Sequence, residues 1–513
     1  MDAQYDYDVV IVGAGIGGIC SAYRLQERCP QLTFCVLEGR HEVGGTWSLF
    51  QYPGIRSDSD LYTYSFPWKP WHGKSIASGA QILQYLKAAA REHGLDKHIK
   101  FHRQVDNMSW STATSTWTVD ATDTGASDTA AKTERLRCRF MLLSTGYYDY
   151  ETPLQARIPG LADFEGPVVH PQFWPKGLDF QGKNVVVVGS GATAITLVPT
   201  LARRGAAHVT MLQRSPTYIA SVPGESAVHS LTKVMLPRDL ASRVIRWQWI
   251  LFMLLFVRFC RLFPRLAWAV LLLRTRTELA LHQSIEPDFT PRYEPFDQNL
   301  CLTPDSDFYE MLRKGRTSIT TGHIDRVTPT RIKLQTGPAL RPDIIVTATG
   351  LKVRFGGGIR IAVDDEPFAV SEHFVWKGCM LDSLPNCVAI IGYYDASWTL
   401  GTDISAKMAC RLINRAMRGK KKTMVARTRE GMKTVPMMYL NSTYVTSADS
   451  HIPKAGDQPQ WQPRKSYWHD TRTDGASPVS EQVQAQRHHP VRVLVTDSSA
   501  PHDSPVSLRP RLQ

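Results

Sequence analysis

Two short β-branched runs, Val9-Val-Ile-Val12 and Val185-Val-Val-Val188, set the rhythm of this chain of 513 residues. Neither is interrupted by a polar side chain, the pattern of a strand buried on both faces of a parallel sheet. Each is followed by a glycine-rich turn, a stretch of helical spacing and a second apolar strand, Thr33–Leu37 in one case and His208–Leu212 in the other. Two further runs, Phe140–Gly146 and Asp343–Gly350, read as buried strands that end in glycine. A fifth, Asn386–Gly392, precedes a helix over about 402–417. Residues 80–93 carry apolar positions at helical spacing, 99–120 alternate as half-buried strands do, and 121–134 read as a polar loop. Strand and helix alternating in this way predict an α/β fold.

The rhythm breaks in two places. Phe164–Pro175 holds Pro167, Pro171 and Pro175, too many for a helix or a central strand, so it reads as a stiff connector. Residues 225–289 hold nine consecutive apolar residues, Trp249–Val257, and eight more, Leu266–Leu273. Arg243, Arg246, Arg258, Arg261, Arg265, Arg274 and Arg276 stand around them, and no acidic residue occurs from 240 to 277. Each run falls short of the ~18–20 residues that cross a bilayer. Two helices broken at Pro264 are expected, serving as a cap over a pocket, as a dimer surface, or as a peripheral membrane contact through 243–276. The basic stretch Arg418–Lys422 reads as a solvated helix end. Beyond about 475 the chain is polar and aperiodic, and disorder is expected.

Chemistry enters at the glycine turns. Gly13-Ala-Gly15-Ile-Gly-Gly18 lies between strand and helix, the context a dinucleotide site requires. Gly13 permits the turn, Gly15 lets backbone approach a pyrophosphate, and Gly18 lets helix and strand pack. Glu38 ends the next strand. A carboxylate there accepts from ribose hydroxyls and repels a 2′-phosphate, so FAD or NAD is expected. Gly189-Ser-Gly191-Ala-Thr193-Ala194 repeats the loop, but Gln213-Arg214-Ser215 stands at the ribose position. A guanidinium grips a phosphate dianion, so this second site is expected to prefer NADPH. Two such sites in one chain imply hydride transfer from NADPH to a flavin.

The formal charge of +13 suits phosphate-bearing ligands or anionic surfaces. No basic run interleaved with aromatics occurs, and no nucleic-acid partner is expected. The nine cysteines are odd in number, irregularly spaced and without a Cys-x-x-Cys. That argues against a disulfide framework, a zinc site and a thiol reductase. A reducing, cytoplasmic setting without a signal peptide is the expectation. With neither a thiol pair nor a metal set, dioxygen is the expected electron acceptor.

Two longer signatures carry a resemblance. Phe164-x-Gly166-x-x-x-His170-x-x-x-Trp174-Pro175 and Gly44-Gly45-x-Trp47, followed by Tyr52-Pro-Gly54 and Asp58, resemble the fingerprints of the Baeyer–Villiger monooxygenases, class B flavoproteins. The resemblance implies two Rossmann-like domains, the NADPH domain inserted into the FAD domain. The FAD domain would take 1–150 and 375–445, the NADPH domain 151–224 and 290–374, with a helical insert at 225–289 and a C-terminal extension at 446–513. It implies oxygen insertion beside the carbonyl of a small ketone by way of a flavin C4a-peroxide, giving an ester or lactone. It places Gly45, Trp47 and Asp58 along the flavin, Gly350 and Gly392 near it, and the 164–175 motif on the hinge. In the branch of the ethionamide-activating monooxygenases an active-site arginine follows Asp-Gln. Here Asn299 stands there, and Arg292 is the candidate substitute. The alternatives are N- or S-oxygenation, or a flavoprotein that has lost oxygenation and acts as an NADPH oxidase or a binding partner.

Overall fold

The computed structural model describes residues 5–125, 132–279, 284–298, 300–393, 396–419, 423–428, 430–438, 452–464, 466–476 and 483–486. At its centre β1 (Tyr7–Val12) lies parallel to β2 (Phe34–Leu37) on one side and to β3 (Thr133–Leu143) on the other, with Val9 facing Phe34 and Phe140. Val9, Val10 and Ile11 are fully buried, as an all-apolar strand requires. α1 (Ile16–Arg28) joins β1 to β2. The outer half of β3 pairs antiparallel with 116–123, which continues to 103–111. Residues 387–389 return to pair with β3 and close the nine-stranded sheet.

A second, all-parallel sheet is built from residues between β3 and that return strand. Its order is 317–321, β5 (His208–Gln213), β4 (Asn184–Val188), β6 (Ile344–Thr347) and 168–169. α2 (Ala192–Arg203) links β4 to β5. The second dinucleotide fold is therefore inserted into the first, as expected. The proline-rich connector contributes an edge strand, Val168–Val169, which is where a proline-flanked segment can join a sheet.

Two boundaries move. Residues 360–367, assigned above to the second domain, extend the first sheet: Arg360–Val363 pairs with Asn107–Trp110, and Ile361 is buried in the core that holds Met108 and Trp110. Residues 452–476, assigned to an extension, belong to the first domain. Trp461 is fully buried in its core, 455–456 pairs with 434–435, and Tyr393 donates to Asp470 at 2.6 Å. Residues 483–486 pair with 423–426. The rest of the stretch past 476, where disorder was expected, lies outside the described residues.

The insert forms three helices, α3 (Ala227–Met235), α4 (Arg238–Leu262) and α5 (Pro264–Glu278). The break falls at Pro264, where a missing N–H costs nothing because first-turn donors have no intrahelical partner. The apolar run does not set the helix length, however. α4 is 25 residues long and, by length and composition, sufficient to cross a membrane. Its inner face is fastened to the first domain: Ser242 donates to the Trp71 carbonyl at 2.6 Å, and Arg246 to the Tyr62 and Ser65 carbonyls at 2.7 and 2.8 Å.

Candidate active site

A cleft of about 1400 Å³ opens between the two sheets, lined by both glycine loops. Gly15 and Gly191 are the N-caps of α1 and α2, and neither helix start carries a side-chain cap. The leading N–H groups of both helices are thus left to the cleft, where they favour an anion. Gly13 has a left-handed φ of 96°, and a Cβ there would stand 2.7 Å from the Ser144 carbonyl oxygen. A Cβ on Gly18 would stand 1.8 Å from the Gly13 oxygen, which forces glycine. Gly189, at φ 129°, packs against Ala348 in the same way, whereas a Cβ on Gly191 would meet open space. Glu38 is buried at the end of β2 and accepts from the Ala14 N–H at 2.7 Å and the Arg40 N–H at 3.0 Å. Burial raises its pKa, and those two bonds oppose the rise.

The second signature bridges the domains. Gly45 approaches Gly15 backbone to backbone: a Cβ on Gly45 would lie 3.2 Å from the Gly15 Cα. Trp47 lines the cleft and donates from its indole to Tyr64 at 2.7 Å. Phe50 and Tyr52 are buried in the core of the second domain, not the first. Tyr52 and Thr193 of the second glycine loop both line the cleft, and burial pushes the Tyr52 phenol up to about 12. Gly54 packs against Thr200 of α2. Arg56 then reaches Asp307, with Nη1 to Oδ2 at 2.5 Å and Nη2 to Oδ1 at 3.3 Å.

Asp58 projects into the cleft, so its carboxyl is accessible although protein surrounds the cavity. Desolvation raises its pKa, and among the described residues it has no ion-pair partner. Asp60 turns away: it caps the helix 61–64, accepting from the Thr63 N–H at 2.8 Å, and burial pushes it up to about 6.

On the hinge, His170 accepts at Nδ1 from the Gln172 N–H at 3.2 Å, and its Nε2 stands 3.3 Å from the Gly350 carbonyl. That pair of bonds fixes a neutral ring protonated at Nε2, and burial lowers its pKa. Phe164 is buried, Trp174 packs on the second core, and a Cβ on Gly166 would strike the Asp343 carbonyl at 2.5 Å. Arg214 and Ser215 follow β5 directly and line the cleft, as does Gly350. Gly392 lies behind the cleft, where its missing Cβ makes room for Trp398. Arg292 is exposed and is not part of the cleft lining, so the structure does not bring it to Asp58. Asn299 lies outside the described residues.

Several lining residues escaped the sequence reading. Tyr147 stacks on Trp398 at 4.9 Å and bonds Tyr148 at 2.6 Å, and Tyr150 bonds Thr46 at 2.9 Å. The signal was available, since three tyrosines follow a strand that ends at Gly146 beside the first loop.

Residues 7–251 match the flavin-binding monooxygenase-like family. The chain is 41% identical over 467 residues to the FAD-containing monooxygenase EthA of Mycobacterium tuberculosis, covering 91% of this chain and 94% of that protein. It is 40% identical over 469 residues to the probable FAD-binding monooxygenase AlmA of Acinetobacter baylyi, covering 91% and 93%. Among solved structures, OTEMO complexed with FAD and NADP superposes with a TM-score of 0.68 at 20% identity, covering 83% of this chain and 87% of that one. An oxidized steroid monooxygenase bound to NADP gives 0.65 at 23% identity, covering 82% and 88%. Sequence identity of this extent, joined to two dinucleotide loops on one cleft, makes the chain a member of the flavin-binding monooxygenase-like family.

Proposed function

We propose that this chain is an FAD- and NADPH-dependent monooxygenase that inserts one atom of O2 next to the carbonyl of a small ketone, giving an ester or lactone. The observation that carries this reading is one cleft bordered by two glycine loops at uncapped helix starts, the first backed by the buried Glu38 and the second followed by Arg214 in the lining. The residues present suit both groups. Two uncapped helix starts face the cleft, and the Cβ position of Gly191 is open, so backbone can approach a phosphate. The volume exceeds the ~300–1,000 Å³ of a single-ligand pocket.

Gly13, Gly15, Gly18 and Glu38 would hold FAD, with Gly45 and Trp47 along it; Gly189, Gly191, Thr193, Arg214 and Ser215 would hold NADPH. Bound and reduced, the flavin supplies activated oxygen. The chain's part is to orient and to keep water out. Trp47, Tyr64, Tyr147 and Trp398 line the cleft with flat apolar faces. Asp58 sets the local charge beside the reacting groups, and desolvation holds its carboxyl above the usual carboxylate range. His170 ties the hinge segment to Gly350, just past the end of β6 in the second sheet.

One observation favours a second reading, N- or S-oxygenation. The residue after Asp297-Gln298 is the neutral Asn299, and no described cation pairs with Asp58. A fixed positive charge is worth several kcal/mol to a developing anion, and ketone oxidation needs that more than heteroatom transfer does. Incubation with NADPH and equal amounts of a cyclic ketone and a thioether, with products identified by mass, decides between them. Lactone as the main product upholds the proposal, sulfoxide alone replaces it with the second reading, and H2O2 without either product removes both.

A further inference from the structure

Sixteen of the nineteen large apolar side chains exposed among the described residues lie between Val228 and Leu273. Scattered exposed leucines need no explanation, but a concentration of this kind marks an interaction surface. On α4, Leu240, Trp247, Leu251, Leu255 and Leu262 recur at helical spacing on the face opposite Ser242, Arg246 and Cys260, which are buried. On α5, Leu266, Trp268, Val270 and Leu273 are exposed in turn. α3 adds Val228, Leu231, Val234 and Met235, so each of three consecutive helices leaves large apolar side chains uncovered.

The charge on this surface is predominantly positive: its carboxylates stand at the ends, Asp239 in the first turn of α4 and Glu278, paired with Arg274 at 3.1 Å, in the last turn of α5. Arg243, Arg258, Arg265, Arg274 and Arg276 are all exposed, and no carboxylate occurs from 240 to 277. Arg258 falls on the same helical face as Leu251 and Leu255, and Arg243 lies at its edge. A long guanidinium stem can lie along apolar surface while its head reaches phosphate.

We propose that the outer faces of α3, α4 and α5 dock on an anionic phospholipid bilayer, arginines at the headgroups and Leu, Phe and Trp side chains in the acyl boundary. Charge selects this occupant. A second copy of the chain, paired across a two-fold axis, would set the same predominantly cationic surface, with Arg243, Arg258 and Arg265 at its middle, against itself. An acidic peptide would satisfy the arginines and leave most of the apolar side uncovered. α4 lies in the plane of the surface and does not cross it. Its inner face holds Arg246, bonded to the Tyr62, Thr63 and Ser65 carbonyls at 2.7, 3.2 and 2.8 Å, and those bonds are lost if the helix enters lipid end-on. Ile250 packs with Tyr393, Leu400 and Ile404 of the first domain, a second anchor on the same side.

The test is flotation of the purified full-length protein with vesicles of phosphatidylcholine alone or mixed with phosphatidylglycerol. The protein is expected to float with the anionic vesicles and to be released in part by high salt. Each basic side chain near an anionic surface contributes about fivefold in partition, so Arg243→Ala, Arg258→Ala and Arg265→Ala together weaken binding on the order of a hundredfold. Leu251→Glu with Leu255→Glu abolishes it. Both variants keep bound flavin and wild-type NADPH oxidation, which shows that they fold. Flotation is read on the protein itself, so a failure of the oxygenation proposal leaves this test intact. Wild-type protein that stays unbound with anionic vesicles overturns the inference. So does a dimer in light scattering that the two glutamates convert to monomer, because the face would then be filled by a second copy.

Discussion

Arg56 and Asp307 are separated by 251 residues and form a nearly buried ion pair between the domains, with side chains 12% and 7% exposed. Arg56→Ala leaves the Asp307 carboxylate with the Thr303 hydroxyl at 2.5 Å and Arg203 at 3.6 Å. Removing one partner of a buried pair costs about 3–5 kcal/mol, because the other charge is left desolvated. Arg203 remains to compensate, so about 3 kcal/mol is expected. At roughly 2 cal/mol/K of unfolding entropy per residue, a chain of this length loses about 3 °C in Tm. The assay is a double-mutant cycle with Asp307→Ala, followed by thermal unfolding and by urea. The single variants should each lose stability, and the double should lose far less than their sum, with a coupling near 2 kcal/mol. Arg56 lies two residues before Asp58, so kcat should fall as well. Additive losses, with coupling below about 0.5 kcal/mol, would refute the claim that this pair fastens the second signature to the second domain.

Other consequences are open to direct measurement. Arg214→Ala should lower kcat/KM for NADPH by about 10- to 100-fold, the worth of one charge-assisted bond, while NADH is used as before; steady-state rates with both coenzymes check this. Gly18→Ala forces a Cβ against the Gly13 carbonyl and should yield protein without flavin colour, whereas Gly191→Ala, facing open space, should still fold. His170 is held neutral by burial, below its ordinary value of 6.5. The unfolded chain therefore takes up that proton first, so the contribution is full above pH 6.5 and is lost as pH falls through it. His170→Gln should flatten the fall in urea midpoint on that side by up to one proton. Asp60 runs the other way: its folded pKa is raised to about 6, so its ionisation opposes folding progressively from about pH 4 to 6, and Asp60→Asn should relieve that loss.

Much of the site was legible because dinucleotide chemistry is written in local residues. A strand, a glycine turn and the residue at the end of the next strand sufficed to place Gly13, Gly18, Glu38 and Arg214. The pairing of 360–363 with 103–111 was not legible, since a short strand of mixed polarity says nothing about its distant partner. Trp461 stands alone in a polar stretch, and only the first domain's core explains it. Tyr52 stands in a signature that resembles a flavin-binding segment, yet its ring is buried in the second domain's core, because a signature's spacing does not say which core its aromatics fill. The apolar run understates α4 for a related reason: Gln248 and Arg258 end the run but not the helix.

The central claim is that reducing equivalents enter at the arginine-tipped loop and reach a flavin at the carboxylate-tipped one. Anaerobic rapid mixing of the purified protein with NADPH or NADH, followed at the visible flavin absorbance, tests it most directly. The account predicts bound flavin that NADPH bleaches at least about tenfold faster than NADH at equal concentration, a difference of about 1.4 kcal/mol. Protein that binds no flavin, or flavin that both coenzymes reduce at the same rate, would contradict it.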